Sequence, residues 1–332
     1  MGKRYSYVIA LAVAALALCG CHPLRNLEQP DTSMPESYDV GEAPASVSYA
    51  ENDWRRVFDD QTLCGLIDKA LAHNHDILKA AARVEEVREL YGIAKADYYP
   101  TVDATVRGER ETKWYHDGSL PDGNYSPDPQ LGIKVHIGWE YNLMGKLNYA
   151  RRQAAADFQA TLDDQHAMRM TVIAEVASAY YRLLAQEATI DITRRTLITR
   201  EESMNKARLR FEAGLTSELV YLQTRTEYLS TQSLIPELSR QAEILRTALS
   251  VLTGEYPSSD YIRHKIDLGD VLPPSLPLGV PSELLQRRPD LRASEQRLQA
   301  SAQAVGVAYA DRFPSIRLDF TAGFWNSRFP DL

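Results

Sequence analysis

Residues 76–104 read D-I-L-K-A-A-A-R-V-E-E-V-R-E-L-Y-G-I-A-K-A-D-Y-Y-P-T-V-D-A, and residues 290–318 read D-L-R-A-S-E-Q-R-L-Q-A-S-A-Q-A-V-G-V-A-Y-A-D-R-F-P-S-I-R-L. At a constant offset of 214, without a gap, Asp76/Asp290, Arg83/Arg297, Gly92/Gly306, Ala94/Ala308, Ala96/Ala310, Asp97/Asp311 and Pro100/Pro314 coincide. Other pairs differ only conservatively, among them Ile77/Leu291, Val84/Leu298, Ile93/Val307, Tyr99/Phe313 and Val102/Ile316. A register held this long marks an internal repeat. Each copy is an Ala-rich helix that stops at an aromatic–Pro junction, where the residue before proline is pushed out of helical geometry. Each then continues as alternating apolar and polar residues. The chain is expected to be a two-copy protein whose second copy is incomplete, since it ends at Leu332, just past its first strand.

Outward from the first copy, Val102, Ala104 and Val106 alternate with Asp103, Thr105 and Arg107, giving a strand over about 101–112. Residues 113–130 hold Gly118, Gly123, Pro121, Pro127, Pro129 and several Asp, and read as a polar loop. Ile133, Val135, Ile137, Trp139, Tyr141 and Leu143 then alternate with Lys134, His136, Gly138, Glu140 and Asn142, giving a strand over 131–143. Roughly 10 residues per strand suits a bilayer span. One apolar and one charged face suits a membrane barrel with lipid outside and water inside. Tyr98, Tyr99, Trp139 and Tyr141 fall near one end of the pair and Trp114 and Tyr115 near the other, as two interfacial girdles would. A soluble hairpin packed on a core explains these strands equally well. In the second copy Ile316, Leu318, Phe320, Ala322 and Phe324 alternate with Arg317, Asp319, Thr321 and Gly323, giving a strand over 315–325 after a helix over 289–311.

From Gly145 to Phe211 the chain has no Pro and no internal Gly, while Ala154, Phe158, Leu162, Ile173, Val176, Ala177, Tyr180, Leu183, Leu184, Ile190 and Leu197 keep a helical stripe. A helix over 146–211 would measure roughly 100 Å. No globular core needs such a rod, but a coiled coil or a tube wall does. Gly214 breaks it within E-A-G-L-T-S. Ser217 is placed as N-cap of a return helix over 217–253, with Pro236 a candidate kink. Stacked end to end, the helices at 76–97 and 218–252 would match the long one. Upstream, Leu63, Leu66, Ile67, Ala70 and Leu71 mark a short amphipathic helix ending at His73-Asn74.

The N-terminus reads as an export signal over 1–20: Lys3 and Arg4 precede an apolar run from Tyr5 to Leu18, too short to span a bilayer comfortably. The ending L-C-G-C resembles a lipoprotein box with Cys21 as the lipidated first residue; an ordinary signal peptide cleaved nearby is the alternative. Each buried acyl methylene adds about 0.8 kcal/mol of anchoring. Residues 21–52, rich in Pro, Ser and acids, form a tether. The body divides into a first repeat over 53–254 and a linker with partial second repeat over 255–332. Cys64, in apolar T-L-C-G-L-I, is expected to be a buried, inert thiol.

The net charge of −8, which becomes −10 without the leader, and the lack of any basic run argue against nucleic acid. No phosphate-binding Gly-rich loop, HExxH or Cys-pair metal motif is present, so neither an enzyme nor a metal or cofactor site is expected. His73-Asn74-His75 reads as capping or solvated residues. Arg287-Arg288-Pro289-Asp290 reads as helix initiation, with Pro289 near the first helical position and Asp290 near the positive helix end.

Four segments carry a family resemblance: L-L-Q-R-R-P-D-L-R-A-S-E (284–295), W-E-Y-N-L-M-G-K (139–146), A-L-A-H-N-H-D-I (70–77) and R-F-E-A-G-L-T-S-E-L (210–219). They resemble the TolC-like outer membrane factor family, in its lipoprotein branch represented by OprM and NodT, over residues 50–332. Asn142 and Met144 depart from the Asp and Phe usual in that W-E motif. The resemblance implies a homotrimer in which each protomer gives four strands to one closed barrel, because lipid tolerates no open sheet edge. A helical tunnel continues across the periplasm. The family acts as a passive exit duct for tripartite efflux or secretion systems, partnered by a periplasmic adaptor and an inner-membrane transporter of the RND type.

By that resemblance the adaptor docks at Gly214-Leu215-Thr216, beside Arg210; the plainer reading is that Gly214 permits a turn, and both can hold. Ile133, Val135, Ile137, Trp139 and Tyr141 would then face lipid. More than a hundred C-terminal residues of the family pattern are missing, so no gate residues are assigned and the chain is expected to form no stable open channel. The competing readings are a periplasmic adaptor lipoprotein and a structural coiled-coil lipoprotein. The helix–strand repeat speaks against the first and the amphipathic strands against the second.

Overall fold

In the computed structural model of the chain, the described residues are 54–58, 60–114, 125–257 and 283–326. The leader, Cys21, the tether and the greater part of the Pro-rich connector lie outside them. After a single 3-10 turn at Trp54–Arg56, the chain forms α1 (Gln61–His73), α2 (His75–Ala96), β1 (Thr101–Trp114), β2 (Tyr125–Tyr141), α3 (Lys146–Glu212) and α4 (Glu218–Thr253). A short α5 (Glu283–Arg287), α6 (Pro289–Ala310) and β3 (Ile316–Asn326) follow. The architecture is mainly helical. No described helix is long and apolar enough to cross a membrane, which leaves the strands to be considered on their own terms.

The repeat is present in the backbone. α2 and α6 begin and end at positions that differ by 214. Their exits match bond for bond: Asp97, Tyr98 and Tyr99 donate to the carbonyls of Ile93, Lys95 and Ala96. Asp311, Arg312 and Phe313 donate to those of Val307, Tyr309 and Ala310. The aromatic–Pro junction therefore ends both helices by the same geometry.

The described residues divide into two compact units. One holds Glu85–Thr161 and the residues from Ala293; the other holds the residues up to Val84 with Leu162–Arg292. In the first unit, β1, β2 and β3 form one antiparallel sheet in that order. α2 lies along the start of α3, with Tyr91 stacked on Phe158 at 6.1 Å and Tyr98 Oη donating to Asn148 Oδ1 at 3.1 Å.

β2 departs from expectation at both ends. It starts at Tyr125, so Pro127 and Pro129 lie within it, opposite Thr112 and Arg110. Beyond Leu131 its only described neighbour is β1. On such an edge a missing N–H facing outward costs no ladder bond. At the other end β2 stops at Tyr141, not at Leu143. The Leu143 N–H folds back to the Tyr141 carbonyl at 2.8 Å, and Gly145 turns the chain at φ 75°.

The second unit contains the apolar core. Leu63, Leu66, Ile67 and Ala70 of α1, Ile77 of α2, Val172, Val176, Tyr180, Leu183 and Ile190 of α3, and Ala242 and Leu249 of α4 pack together. Asp60 organises its edge. One carboxylate oxygen accepts from the Thr62 and Leu63 N–H groups, capping α1, and the other accepts from Tyr180 Oη at 2.6 Å. Burial first, and then that hydrogen bond, push the Tyr180 phenol well above its ordinary pKa.

α3 and α4 form an antiparallel hairpin. Gln186 Nε2 donates to the Leu238 carbonyl, Arg246 pairs with Glu187, Arg200 donates to the Glu227 carbonyl, and Phe211 stacks on Tyr221. Pro236 sits inside α4 without ending it. Ser217 occupies the N-cap position, yet its side chain makes no capping hydrogen bond, contrary to the sequence expectation. Cys64 is half-buried, not fully buried, and its Sγ donates to the Phe58 carbonyl at 3.3 Å.

Of the two readings of His73-Asn74-His75, capping is the one that holds, at Asn74. This residue is buried; its Oδ1 accepts from the Asp76 and Ile77 N–H groups, and its Nδ2 donates to the Leu252 carbonyl. That last bond ties the α1–α2 joint to the end of α4. Gly254 ends α4 in the left-handed region at φ 68°, with the Gly254 and Glu255 N–H groups closing on the Val251 and Ser250 carbonyls. A Cβ there would sit 2.6 Å from the His73 carbonyl oxygen. Gly254→Ala is expected to cost about 3 kcal/mol, from left-handed strain plus backbone displacement. Gly65→Ala, exposed within α1 with nothing within 4 Å of the added Cβ, should be neutral or slightly stabilising. Thermal melts followed by circular dichroism compare the two.

Candidate functional site

Two surfaces carry the functional candidates, one in each unit. In the sheet, the register puts Val102, Ala104 and Val106 of β1 beside Ile137, Val135 and Ile133 of β2. Phe320, Ala322 and Phe324 of β3 lie beside Ile137, Val135 and Ile133, with Leu318 and Ile316 beside Trp139 and Tyr141. Because side chains alternate along a strand, these residues share one face. That face is not covered: Val102 is 66%, Val106 69%, Phe320 63% and Phe324 86% exposed. Trp139 and Tyr141 meet edge to face at 5.9 Å, and Trp139 Nε1 donates to the Tyr98 carbonyl at the end of the sheet. The side chain of Trp114 and all of Tyr115, placed in a second girdle, lie outside the described residues.

The opposite face is polar. His136 lies 3.0 Å from Thr321 Oγ1 and 3.4 Å from Asp319 Oδ1, and Asp319 also takes Arg317 at 3.3 Å. Gly138, between Thr101 and Asp319, leaves the space these groups occupy.

The second surface is the hairpin tip. The Gly214 N–H donates to the Phe211 carbonyl and the Leu215 N–H to the Arg210 carbonyl, both at 2.8 Å, with Gly214 at φ 72°. This paired closure of a helix end is the Schellman arrangement, and it needs glycine at its left-handed position. Nothing lies within 4 Å of a Cβ built on Gly214, so conformation and not space selects it. The turn accounts for Gly214 and for the Arg210 backbone, and Thr216 is half-buried beside them. It does not account for Leu215, which is 71% exposed, or for Leu219, which is 63% exposed one turn on.

Several positioning residues were not legible in advance. Asn142 Oδ1 accepts from the Leu147 N–H at 2.9 Å and Nδ2 donates to Tyr98 Oη at 3.1 Å, so the amide caps α3 and ties it to the α2–β1 junction. In the R-R-P-D stretch, Pro289 does open α6 and Arg288 makes two bonds to Asp290. Arg292 reaches Asp163 of α3 at 2.8 Å. Asp163 is almost fully buried, while Arg292 is half exposed. Lys146 of α3 meets Asp311 at 2.7 Å, and that hydrogen bond holds its ammonium above the ordinary lysine value against partial desolvation. Both pairs join the first copy's long helix to the second copy's α6 or its exit. Among the described residues no cluster of His, Cys, Asp or Glu could hold a metal ion.

An open apolar sheet face backed by a charged one, together with a repeated helix–strand unit and a long helical hairpin, marks the chain as a protein of the outer-membrane efflux type. The comparisons agree: residues 66–255 match the family of outer membrane efflux proteins, and the chain belongs to it. It is 30% identical over 321 residues, 95% of its length, to the probable efflux pump outer membrane protein TtgC of Pseudomonas putida. It is 27% identical over 307 residues to the cation efflux system protein CusC of Escherichia coli. Among solved structures it superposes on the CusC channel with a TM-score of 0.75 at 23% identity, covering 92% of this chain and 68% of that one. For the outer-membrane channel OprN the values are 0.69 at 28% identity, covering 87% and 67%. The chain spans 66% of the length of the first of these curated relatives, about two thirds.

The Arg292–Asp163 pair offers a direct test of how the copies are joined. Arg292→Ala strands a buried carboxylate and is expected to cost about 1.5–3 kcal/mol, the lower range for a buried pair because Arg292 is half exposed. Adding Asp163→Asn should recover part of that loss in urea unfolding. Strictly additive losses would show that the pair is not coupled.

Proposed function

We propose that the chain is a component of an outer-membrane exit duct for a tripartite efflux or secretion system, passing small molecules by passive transit without enzymatic chemistry. The observation that carries this reading is the three-stranded sheet, apolar and uncovered on one face and charged on the other. Water cannot stabilise so continuous an apolar face, and soluble chains rarely expose one. Lipid against Ile133, Val135, Ile137, Trp139 and Tyr141, with water against Lys134, His136 and Asp319, satisfies both sides. The sheet's outer edges, β1 and β3, must then pair with further strands, because hydrocarbon offers no hydrogen bonds. Assembly as a homotrimer supplies such pairing.

The tip is read as the docking point for a periplasmic adaptor that links the duct to an inner-membrane transporter of the RND type. Leu215 and Leu219 provide exposed apolar contacts, and the Arg210–Gly214–Thr216 turn fixes their placement. Cys21 is read as the lipid anchor. The relatives are named for toluene, solvents and cations, and no single cargo is assigned to this chain. The adaptor reading raised from the sequence has less support, since both family membership and the paired strands favour the duct.

A charge on the sheet's apolar face tests the proposal. Val135→Arg should cost roughly 2–4 kcal/mol of membrane insertion and deplete the chain from the outer-membrane fraction. Lys134→Gln, one residue away on the opposite face, should leave fractionation unchanged. Equal behaviour of the two variants would contradict the reading.

A further inference from the structure

The β2–α3 and α6–β3 junctions border a small cavity of about 90 Å³, within one unit of the chain. Its wall includes Glu140, Tyr141, Lys146, Asp311, Phe313 and Ser315. Pockets that enclose drug-sized molecules run upwards of about 300 Å³, so this one has room for a polar head and not for a whole solute. Its chemistry is mixed. Lys146 Nζ carries three donors, and one is used on Asp311 at 2.7 Å. Glu140 stands in the same wall, on the polar face of β2. Both Lys146 and Asp311 remain open to solvent, at 40% and 52% exposure.

A bare anion must displace Asp311 from Lys146, and a bare cation must displace Lys146 from Asp311. A group carrying a phosphate and a primary ammonium a few bonds apart is met by both signs at once. The surroundings point the same way. Tyr141 is the last residue of the apolar face of β2 and is half exposed, and Leu143, beside it in the wall, is 51% exposed. The cavity therefore opens where the apolar face ends. If that face meets lipid, as proposed above, this is the level of the headgroups.

We propose that the cavity binds the phosphoethanolamine headgroup of a phospholipid, with its phosphate on Lys146 and its ammonium on Asp311. The acyl chains then lie along the apolar sheet face. A phosphoglycerol headgroup lacks the ammonium. A phosphocholine headgroup carries it fully methylated, with no N–H for the Asp311 carboxylate.

The test rests on the membrane reading and separates itself from it. The full chain is reconstituted into bilayers of phosphoethanolamine, phosphocholine and phosphoglycerol lipids in equal parts with identical acyl chains. Lipids retained after detergent extraction are counted by native mass spectrometry. The expected result is roughly tenfold enrichment of phosphoethanolamine lipid, about what one charge-assisted hydrogen bond provides. Lys146→Gln and Asp311→Asn should each reduce it towards parity, and Lys146→Arg should retain it. A wild-type chain that inserts but retains the three lipids equally overturns this proposal and leaves the membrane reading intact. A chain that never inserts overturns both. Should Lys146→Gln fail to fold, the wild-type comparison among headgroups still decides.

Discussion

Leu131 to Gly138 of β2 are paired along both edges, to β1 on one side and to β3 on the other. This double ladder is the interaction on which the rest depends. β1 and β2 belong to the first copy of the repeat and β3 to the second, so the ladder joins the copies into one sheet. It also fixes the faces, because a slip of one residue would turn Ile133, Val135 and Ile137 towards the charged side. Lys146–Asp311 and Asn142–Tyr98 then set how the helices leave that sheet. The strands bury little between them, since their apolar face is open. As the proposed membrane wall, the sheet would be held by hydrogen bonds made where water is absent, and an unmade bond there is costly.

The helical unit obeys a different balance. α3 is 67 residues long, yet its core contribution is confined to a stripe from Val172 to Ile190. Outside that stripe, Met170, Ile192, Ile198 and Leu209 of α3 and Leu222, Leu229, Leu234 and Ile244 of α4 are exposed. Large apolar residues spaced along a hairpin at this density are what a wall built from several protomers would cover. The proposed trimer gives them a use.

What was legible in the sequence was what is periodic. The alternation in β2, the stripe along α3 and the 214-residue offset all repeat, and repetition can be read without coordinates. The glycine turn at Gly214 was legible because only one residue type relieves a left-handed backbone. Position 217 was placed correctly as a cap, but its missing side-chain bond was not foreseen, since composition reports preference and not geometry. The prolines at 127 and 129 misled because their penalty depends on which strand edge is paired, a tertiary fact. Arg292–Asp163 and Lys146–Asp311 join residues more than a hundred positions apart, and no local pattern announces such pairs. Capping at His73-Asn74-His75 was legible, but nothing nearby in sequence shows that the Leu252 carbonyl lies against Asn74.

The central claim is that one face of the sheet meets lipid and the other meets water. It is tested most directly by spin-label accessibility along residues 131–141 of the chain in a bilayer, one label at a time in a background lacking Cys64. The account predicts a period of two. Labels at 133, 135, 137 and 139 should favour oxygen dissolved in the acyl region, and labels at 134, 136 and 138 should favour a water-soluble nickel complex. Flat profiles, or low access to both reagents at the odd positions, would place that face against protein and contradict it.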